Sequence, residues 1–221
     1  MSFEPKPPIK IQTILWDFGG IFTGSPFYGK NEYVASLGLT VETITELVLG
    51  YGLPNGEHPW HKLERGEITM EEAARGILLA VENAGIKGFN IEKFFKSISG
   101  RPEHSNKMYE GVRRLKSQGI SQVIVSNNFR EFQSIWKSMV PENLFDGIID
   151  SSQVGVRKPD PAIFKLALEL VNASPGSTVF LDDYEEHIRV ANSIGIRGIL
   201  VGENPTEALL ELETLVGQDS L

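Results

Sequence analysis

The chain has no cysteine among its 221 residues, so disulfide bonds and thiolate chemistry are excluded. Basic residues are also few, since 29 acidic residues face 21 basic ones and leave a net charge of -8. Nucleic-acid binding requires a basic surface, so we expect no nucleic-acid partner. No apolar run approaches the roughly 18 residues that span a bilayer, and we expect no membrane partner. Residues 1–10 carry three prolines and several charges, which predicts a loose leader rather than a signal peptide and a cytoplasmic location.

Short apolar runs alternate with amphipathic segments through much of the chain. Five runs have the composition of buried strands, at residues 11–16, 122–126, 147–150, 178–182 and 197–201. Helical spacing occupies residues 109–118, 130–138, 160–171 and 185–194. Strands separated by helices of this length indicate right-handed βαβ units. The pattern predicts an α/β fold, a doubly wound parallel sheet of the Rossmann-like type.

A second pattern lies between the first strand and residue 101. Apolar residues recur there every three or four positions, over residues 31–37, 40–49, 60–64 and 69–83, and no segment alternates like a strand. Thr69 and Glu72 have the spacing of a capping box. We therefore predict two domains, a catalytic core of residues 1–22 and 101–221 and an inserted all-helical domain of residues 23–100.

Chemically reactive residues stand at the predicted strand ends or in the loops that follow them: Asp17, Ser126, Asn127, Lys158, Asp182 and Asp183. Because ligands bind at the carboxyl ends of strands in an open parallel sheet, we expect these residues to converge on one crevice. Carboxylate oxygens suit Mg²⁺, while a hydroxyl, backbone N–H groups and an ammonium suit phosphoryl oxygens. The set predicts a site for a phosphate and a divalent cation.

Four ordered motifs on these residues resemble those of the haloacid dehalogenase superfamily: DFGGIF at 17–22, SN at 126–127, KPDP at 158–161 and LDD at 181–183. The helical insert resembles that superfamily's small, subfamily I cap. Its segment WHKLERGEITMEE at residues 60–72 is similar to the branch of the phosphatase domain of soluble epoxide hydrolase. The resemblance covers essentially the whole chain. It implies a Mg²⁺-dependent phosphate-monoester hydrolase acting on a small phosphorylated metabolite. The sequence leaves open whether the protein is a monomer or a homodimer.

The resemblance also implies roles for individual residues. Asp17 attacks phosphorus and forms an aspartyl-phosphate, which water then hydrolyses. Ser126, the backbone of Asn127 and Gly20 bind phosphoryl oxygens. Lys158 steadies both the phosphate and Asp17.

The metal site follows from the same resemblance. Asp17, the backbone carbonyl of Gly19 and Asp183 hold Mg²⁺. Asp182 stands behind them, near Lys158, and orients the ligands.

Gly19 departs from the phosphatase pattern, which places a second Asp two residues after the nucleophile as general acid and base. General acid–base catalysis contributes about 10²–10⁴-fold, so we expect a preference for good leaving groups such as sugar 1-phosphates, acyl phosphates or aryl phosphates. Alternatively, His58, His61 or Tyr28 supplies the proton, although each residue type more often packs or lies at the surface. Two histidines without a third ligand make a poor zinc site.

Further residues carry open alternatives. His187 stands where relatives often have Asn, and it either adjusts the surroundings of the metal ligands or caps its helix. Five polar residues of the insert are candidates to line the substrate pocket, namely Lys30, Asn31, Trp60, His61 and Arg65.

Two other functions compete with phosphate hydrolysis. A 2-haloacid dehalogenase also lacks the second Asp, but it needs no Mg²⁺ and does not normally keep a pair like Asp182 and Asp183, so the pair favours phosphoryl transfer. A binding or regulatory module is the other alternative, for which Gly19 is an argument and the four intact motifs are a counter-argument.

Overall fold

The computed structural model describes residues 10–28, 31–98, 102–141 and 143–218. Most of the leader, Lys30 and the domain boundary at residues 99–101 lie outside the described residues. Five parallel strands form one sheet in the order β3-β2-β1-β4-β5. The strands are β1 (Thr13–Trp16), β2 (Ser121–Ser126), β3 (Gly147–Asp150), β4 (Thr178–Asp182) and β5 (Arg197–Leu200). The predicted α/β parallel sheet is confirmed.

Helices cover both faces of this sheet. One face packs against α6 (Pro102–Ser117), α7 (Gln133–Met139) and α11 (Pro205–Gln218), and the other against α9 (Pro161–Leu170) and α10 (Glu185–Ser193). Along β1, Ile14 and Trp16 belong to the first apolar core while Leu15 belongs to the second. Burial on both faces explains why these strands read as continuous apolar runs rather than as alternating ones.

Between β1 and α6 the described residues form helices joined by loops and contain no strand. The helices are α1 (Glu32–Ser36), α2 (Val41–Leu49), α3 (Pro59–Glu64), α4 (Met70–Asn83) and α5 (Ile91–Ser97). These helices share an apolar cluster separate from the two cores of the sheet. The capping box of Thr69 and Glu72 is present at the start of α4. The division into two domains at the stated boundaries stays a prediction.

Several helix bounds differ from those predicted. The helix predicted at 109–118 begins earlier, at Pro102. The prediction missed its first turns because residues 103–107 are polar and the apolar spacing starts only at Met108. The helix predicted at 130–138 opens with a 3-10 turn, Arg130–Phe132. Three helices were not individually predicted: α5, α8 (Ser151–Val154) and α11. Within the described ranges no helix is both long and apolar enough to cross a bilayer.

Candidate active site

The strand order reverses around β1, so the fold places a crevice at the carboxyl end of this strand. The backbone N–H of Asp17 donates to the carbonyl of Leu181 at 2.9 Å, which extends the pairing of β1 with β4 by one residue. This pairing sets Asp17 beside Asp182 and Asp183, which follow Leu181. The three carboxylates each offer an oxygen within 4.8 Å of the others.

Lys158 is the cation that joins two of these carboxylates. Its Nζ lies 2.7 Å from Asp17 Oδ1 and 2.7 Å from Asp182 Oδ2, and the residue is fully buried. Burial alone would lower the pKa of Lys158, but Asp17 and Asp182 raise it above its usual value, so the ammonium keeps its charge. The N–H of Phe18 also donates to Asp17 Oδ1, at 2.7 Å. Both contacts hold one oxygen of Asp17 and leave Oδ2 available.

Asp182 is fully engaged by its surroundings. Besides Lys158, it accepts from the backbone N–H of Tyr184 at 2.8 Å, and His187 Nδ1 lies 3.0 Å from both of its oxygens. Burial would raise the pKa of Asp182, but His187 and Lys158 outweigh it and lower the pKa to about 2. Of the two alternatives for His187, the structure supports the first, because its ring contacts Asp182. His187 does not cap its helix, since the N-cap residue of α10 is Tyr184 and no side chain caps this end. Asp182 therefore lies behind the site and fixes Lys158.

For Asp17 and Asp183, unlike Asp182, hydrogen bonds and positive charges do not offset the cost of burying the carboxylate. Burial, aided by the charge of Asp182 and opposed by Lys158, raises the pKa of Asp17 to about 7. Burial and the charges of Asp182 and Asp17 raise the pKa of Asp183 well above its usual value. Asp183 Oδ2 is buried with no hydrogen-bond partner in the described part of the chain. A divalent cation that prefers hard oxygen ligands fits this cluster of carboxylates.

Gly20 is what permits Asp183 to lie this close. Its backbone is left-handed, with φ of 75°, and a Cβ on it would stand 1.9 Å from Asp183 Oδ2. The backbone N–H of Gly20 donates to Thr23 Oγ1 at 3.2 Å. Any side chain at this position would displace the Asp183 carboxylate.

Gly20→Ala is therefore expected to weaken the binding of a divalent cation at this cluster by about 10–100-fold, as when a group that orients a metal ligand is disturbed. Isothermal titration calorimetry with Mg²⁺ measures the effect. Gly38→Ala is the matched control, because Gly38 has φ of 71° but a Cβ there meets nothing within 4 Å. Equal Mg²⁺ affinity in the two variants would contradict the role of Gly20.

Ser126 ends β2, and Asn127 follows it next to this cluster. The side chain of Asn127 holds the backbone of Lys158, donating to its carbonyl at 3.0 Å and accepting from its N–H at 2.8 Å. The Asn127 side chain is thus used for structure, which is consistent with a substrate contact through its backbone. Ser126 is buried and its Oγ makes only a long contact, 3.4 Å, with the Asn127 carbonyl.

A cavity of about 170 Å³ lies directly over Asp17. The core contributes one group of its lining residues: Asp17, Gly19, Gly20, Asn127, Lys158, Asp183 and His187. The opposite side, which we call the insert wall, consists of Thr23, Gly24, Pro26, Phe27, Leu49, Tyr51, Trp60, Glu64, Phe95 and Ile98. A Cβ on Gly19 would meet nothing within 4 Å. The position of the usual acid is therefore open space at the edge of the cavity.

The histidines considered as alternative acids make structural contacts. His58 Nδ1 accepts from the Trp60 N–H at the start of α3. His61 Nδ1 accepts from the Gly56 N–H at 3.3 Å, and its Nε2 donates to the Gly50 carbonyl at 3.0 Å. Burial lowers the pKa of both, that of His61 to about 3. The lowered pKa disfavours, in both rings, the doubly protonated form that would act as a general acid, and neither histidine is among the described residues that line the cavity.

Of the remaining candidates from the sequence that the structure describes, one lines the cavity and the others do not. Trp60 lines the cavity, in agreement with its place among the five pocket candidates. Asn31 caps α1, and Arg65 binds Glu67 and the Gly56 carbonyl, so both are used within the helical insert. Tyr28 is partly buried and is not among the described lining residues, and its pKa is raised by burial and by the nearby Asp183.

A buried ion pair between the helical insert and the core was missed by the sequence analysis. Arg157, which precedes Lys158, contacts Glu64 Oε2 of α3 through Nε at 2.6 Å, and both side chains are buried. Glu64 Oε1 also accepts from Trp60 Nε1 at 2.8 Å, and Arg157 Nη1 donates to Asn55 Oδ1 at 2.9 Å. The pair fixes one wall of the cavity to the segment that carries the catalytic lysine candidate.

Arg157→Met is expected to lower the free energy of unfolding by about 3–5 kcal/mol, because it leaves the Glu64 carboxylate buried without a counter-charge. Urea denaturation measures this loss. The double variant with Glu64→Gln should lose less, since the orphaned charge is gone. Arg114→Met removes an exposed pair with Glu213 and should cost at most about 1 kcal/mol. An Arg157→Met loss as small as that of Arg114→Met would contradict the account.

A family model for haloacid dehalogenase-like hydrolases matches residues 11–195, which include every carboxylate of the cluster and Lys158. The chain is 32% identical over 173 residues to bifunctional epoxide hydrolase 2 of Rattus norvegicus, covering 73% of this chain and 31% of that protein. It is 27% identical over 208 residues to a sesquiterpene phosphatase of Aspergillus oryzae, covering 92% of this chain and 95% of that protein.

A solved structure agrees in fold. A HAD-like family hydrolase from Porphyromonas gingivalis superposes with a TM-score of 0.63 at 17% identity, over 93% of this chain and 98% of that chain. The chain spans less than a third of the length of the first curated relatives that it matches, 19%, 31% and 29%.

Proposed function

The chain belongs to the haloacid dehalogenase-like hydrolase family, and on that premise we propose that it is a Mg²⁺-dependent phosphate-monoester hydrolase that acts through an aspartyl-phosphate on a small phosphorylated metabolite. One observation carries the proposal. The Asp17 carboxylate lies at the reversal of strand order, held at Oδ1 by Lys158, beside the Asp183 carboxylate and facing a cavity. A monomeric or homodimeric state and a cytoplasmic location stay predictions.

The donor set fits Mg²⁺. Asp17, Asp183 and the backbone carbonyl of Gly19 would hold the ion, and the unpartnered Asp183 Oδ2 is the atom that most needs a cation. When bound, the ion neutralises phosphate charge and acts as a Lewis acid on a phosphoryl oxygen.

The residues of the chain account for the remaining steps. Asp17 attacks phosphorus through Oδ2, the bond from phosphorus to the leaving oxygen breaks, and an aspartyl-phosphate forms. Lys158 keeps Asp17 oriented and offsets its charge, while the Asn127 N–H and Ser126 bind phosphoryl oxygens. Water then attacks phosphorus, releases phosphate and restores the Asp17 carboxylate. Because Gly19 carries no acid, the first departure depends on the stability of the leaving oxygen.

Metal dependence discriminates this function from 2-haloacid dehalogenation. The wild-type protein is expected to hydrolyse p-nitrophenyl phosphate with Mg²⁺, to stop when a chelator is added and to resume when Mg²⁺ is restored in excess. The assay is release of p-nitrophenolate, with halide release from 2-chloropropionate followed in parallel. Halide release that survives the chelator, without phosphate release, would replace the proposal by the dehalogenase alternative.

A further inference from the structure

The insert wall is largely apolar and aromatic. Phe27, Tyr51, Trp60 and Phe95 are its aromatic members, and Leu49 and Ile98 are aliphatic. The rings pack on one another: Trp60 stacks on Phe95 with centroids 5.3 Å apart, and Phe27 meets Tyr51 edge-on at 4.8 Å. A wall that carries two packed pairs of rings is pre-organised to bind a flat apolar group.

The polar side chains of the insert wall are already occupied. Trp60 Nε1 donates to Glu64, whose other oxygen binds Arg157. Thr23 Oγ1 accepts from the Gly20 N–H. Among the described residues of this wall, the Tyr51 hydroxyl is the only side-chain group without a hydrogen-bond partner. A leaving group rich in hydroxyls would find the Tyr51 hydroxyl on this wall and His187 Nε2 on the core side without partners, and it would still lose more hydrogen bonds with water than these two groups restore.

The size of the cavity adds a limit. Its volume of about 170 Å³ is close to the roughly 150 Å³ of an engineered apolar cavity that binds benzene. Because Asp17, Lys158 and Asp183 line the same cavity, the phosphoryl group takes part of this volume, and the part of the leaving group that the cavity covers is no larger than one ring. A long alkyl chain would have to leave the cavity and return to water.

We propose that the insert wall selects phosphate esters whose leaving group is a single aromatic ring, attached directly or through one methylene, over long-chain alkyl phosphates and over sugar phosphates. It therefore disfavours the sugar 1-phosphates that the missing acid alone would favour. The proposal rests on the proposed function and names the substrate class of the same site. As Asp17 Oδ2 bonds to phosphorus, the bond to the leaving oxygen breaks with its electron pair, and that oxygen takes its proton from water. An aryl leaving group makes this departure easiest, which agrees with the open space at Gly19.

The experiment separates polarity from leaving-group acidity. Benzyl phosphate and glycerol 1-phosphate are both esters of primary alcohols, so the missing acid penalises them similarly while their polarity differs. We expect kcat/KM with Mg²⁺ to be about 100-fold higher for benzyl phosphate, since one methylene alone in an apolar pocket is worth about 10–200-fold. Decyl phosphate is expected to be poorer than benzyl phosphate, and glucose 1-phosphate poorer than phenyl phosphate.

Variants of Phe95 connect the preference to the wall. Phe95→Ala removes one stacked ring and should reduce the advantage of benzyl phosphate about tenfold, while Phe95→Leu keeps apolar volume and should retain most of it. Leu79→Ala, on an exposed surface of α4, is the control and should leave the preference unchanged. Acetyl phosphate, whose leaving group needs no ring contact, reports the intact reaction machinery in each variant.

The outcomes are distinguishable. If acetyl phosphate is hydrolysed in an Asp17-dependent reaction but benzyl phosphate is no better than glycerol 1-phosphate, the substrate class is wrong and the proposed function stands. A preference for decyl phosphate over benzyl phosphate overturns the size limit. If no phosphate compound in the set is hydrolysed with Mg²⁺, the proposed function fails and the substrate class fails with it.

Discussion

Asp17→Asn is expected to lower kcat for p-nitrophenyl phosphate by about 10³–10⁶-fold, the range associated with removal of a catalytic nucleophile. The amide cannot form a stable bond to phosphorus. It keeps the size of the side chain and an oxygen that can still accept from Lys158 and the Phe18 N–H. The structure around Asp17 should therefore persist while the reaction stops. Steady-state kinetics with excess Mg²⁺ measures the loss.

Asp160→Asn provides the matched control for this charge change. Asp160 caps α9 by accepting from the Ala162 N–H at 2.9 Å, and Asn caps a helix equally well. Its kcat should stay within about twofold of wild type, because substitutions at exposed positions change little. A folded Asp17→Asn variant that retains a tenth or more of the wild-type kcat would mean that another group attacks the substrate.

Gly19→Asp is expected to raise kcat for simple alkyl phosphates by about 10²-fold, the lower end of what general acid–base catalysis contributes. The substitution is sterically open, because a Cβ on Gly19 meets nothing within 4 Å and its φ is not among the positive ones. The new carboxyl group would lie at the edge of the cavity, where a leaving oxygen needs a proton. Aryl phosphates should gain much less, since their leaving oxygens depart without one.

Gly19→Asn separates proton transfer from simple filling of space. It has nearly the shape of the Asp variant but no acid, so it should not accelerate alkyl phosphates. The measurement is kcat for benzyl phosphate and phenyl phosphate in wild type and both variants. A folded Gly19→Asp variant whose gain is absent, or equal for the two esters, would show that the missing acid does not limit the reaction.

Much of the sheet was predictable because most of its strands are buried on both faces and are therefore short apolar runs in the sequence. Strands β3 and β4 have the predicted bounds, residues 147–150 and 178–182, since each is a short apolar run closed by an acid. Helix α8 escaped prediction because four residues cannot display a helical period. Helix α11 begins with Pro205 after Asn204, a usable start signal, but its mixed apolar pattern gave no clear face.

Part of the candidate site was also predictable from the sequence, and part of it was not. Asp17, Lys158, Asp182 and Asp183 were expected to converge because strand ends in a parallel sheet share one edge, and the structure brings these four together. Contacts between the insert and the core cannot be predicted from local sequence patterns. Glu64 and Arg157 are 93 positions apart, and neither residue carries a sequence signal for the other.

Most residues of the insert wall, like the pair of Glu64 and Arg157, could not be predicted from the sequence. Five polar residues of the insert were considered for it, but the insert wall consists mainly of apolar side chains, with Trp60 as the shared member. The polar candidates lie mostly within the insert, where they cap helices and hold loops, as Asn31 and His61 do. Hydrophobic spacing indicates which residues are buried, but it does not distinguish those that pack in a core from those that face a ligand.

Recovery of a phosphoryl group on Asp17 tests the central claim most directly. Wild-type protein is mixed with Mg²⁺ and ³²P-labelled p-nitrophenyl phosphate, quenched in acid at times shorter than one turnover, digested and analysed by mass spectrometry. The account predicts label on the peptide that contains Asp17, at Asp17 itself, and none in the Asp17→Asn variant. Phosphate release at the full rate with no label on the protein at any quench time would contradict it.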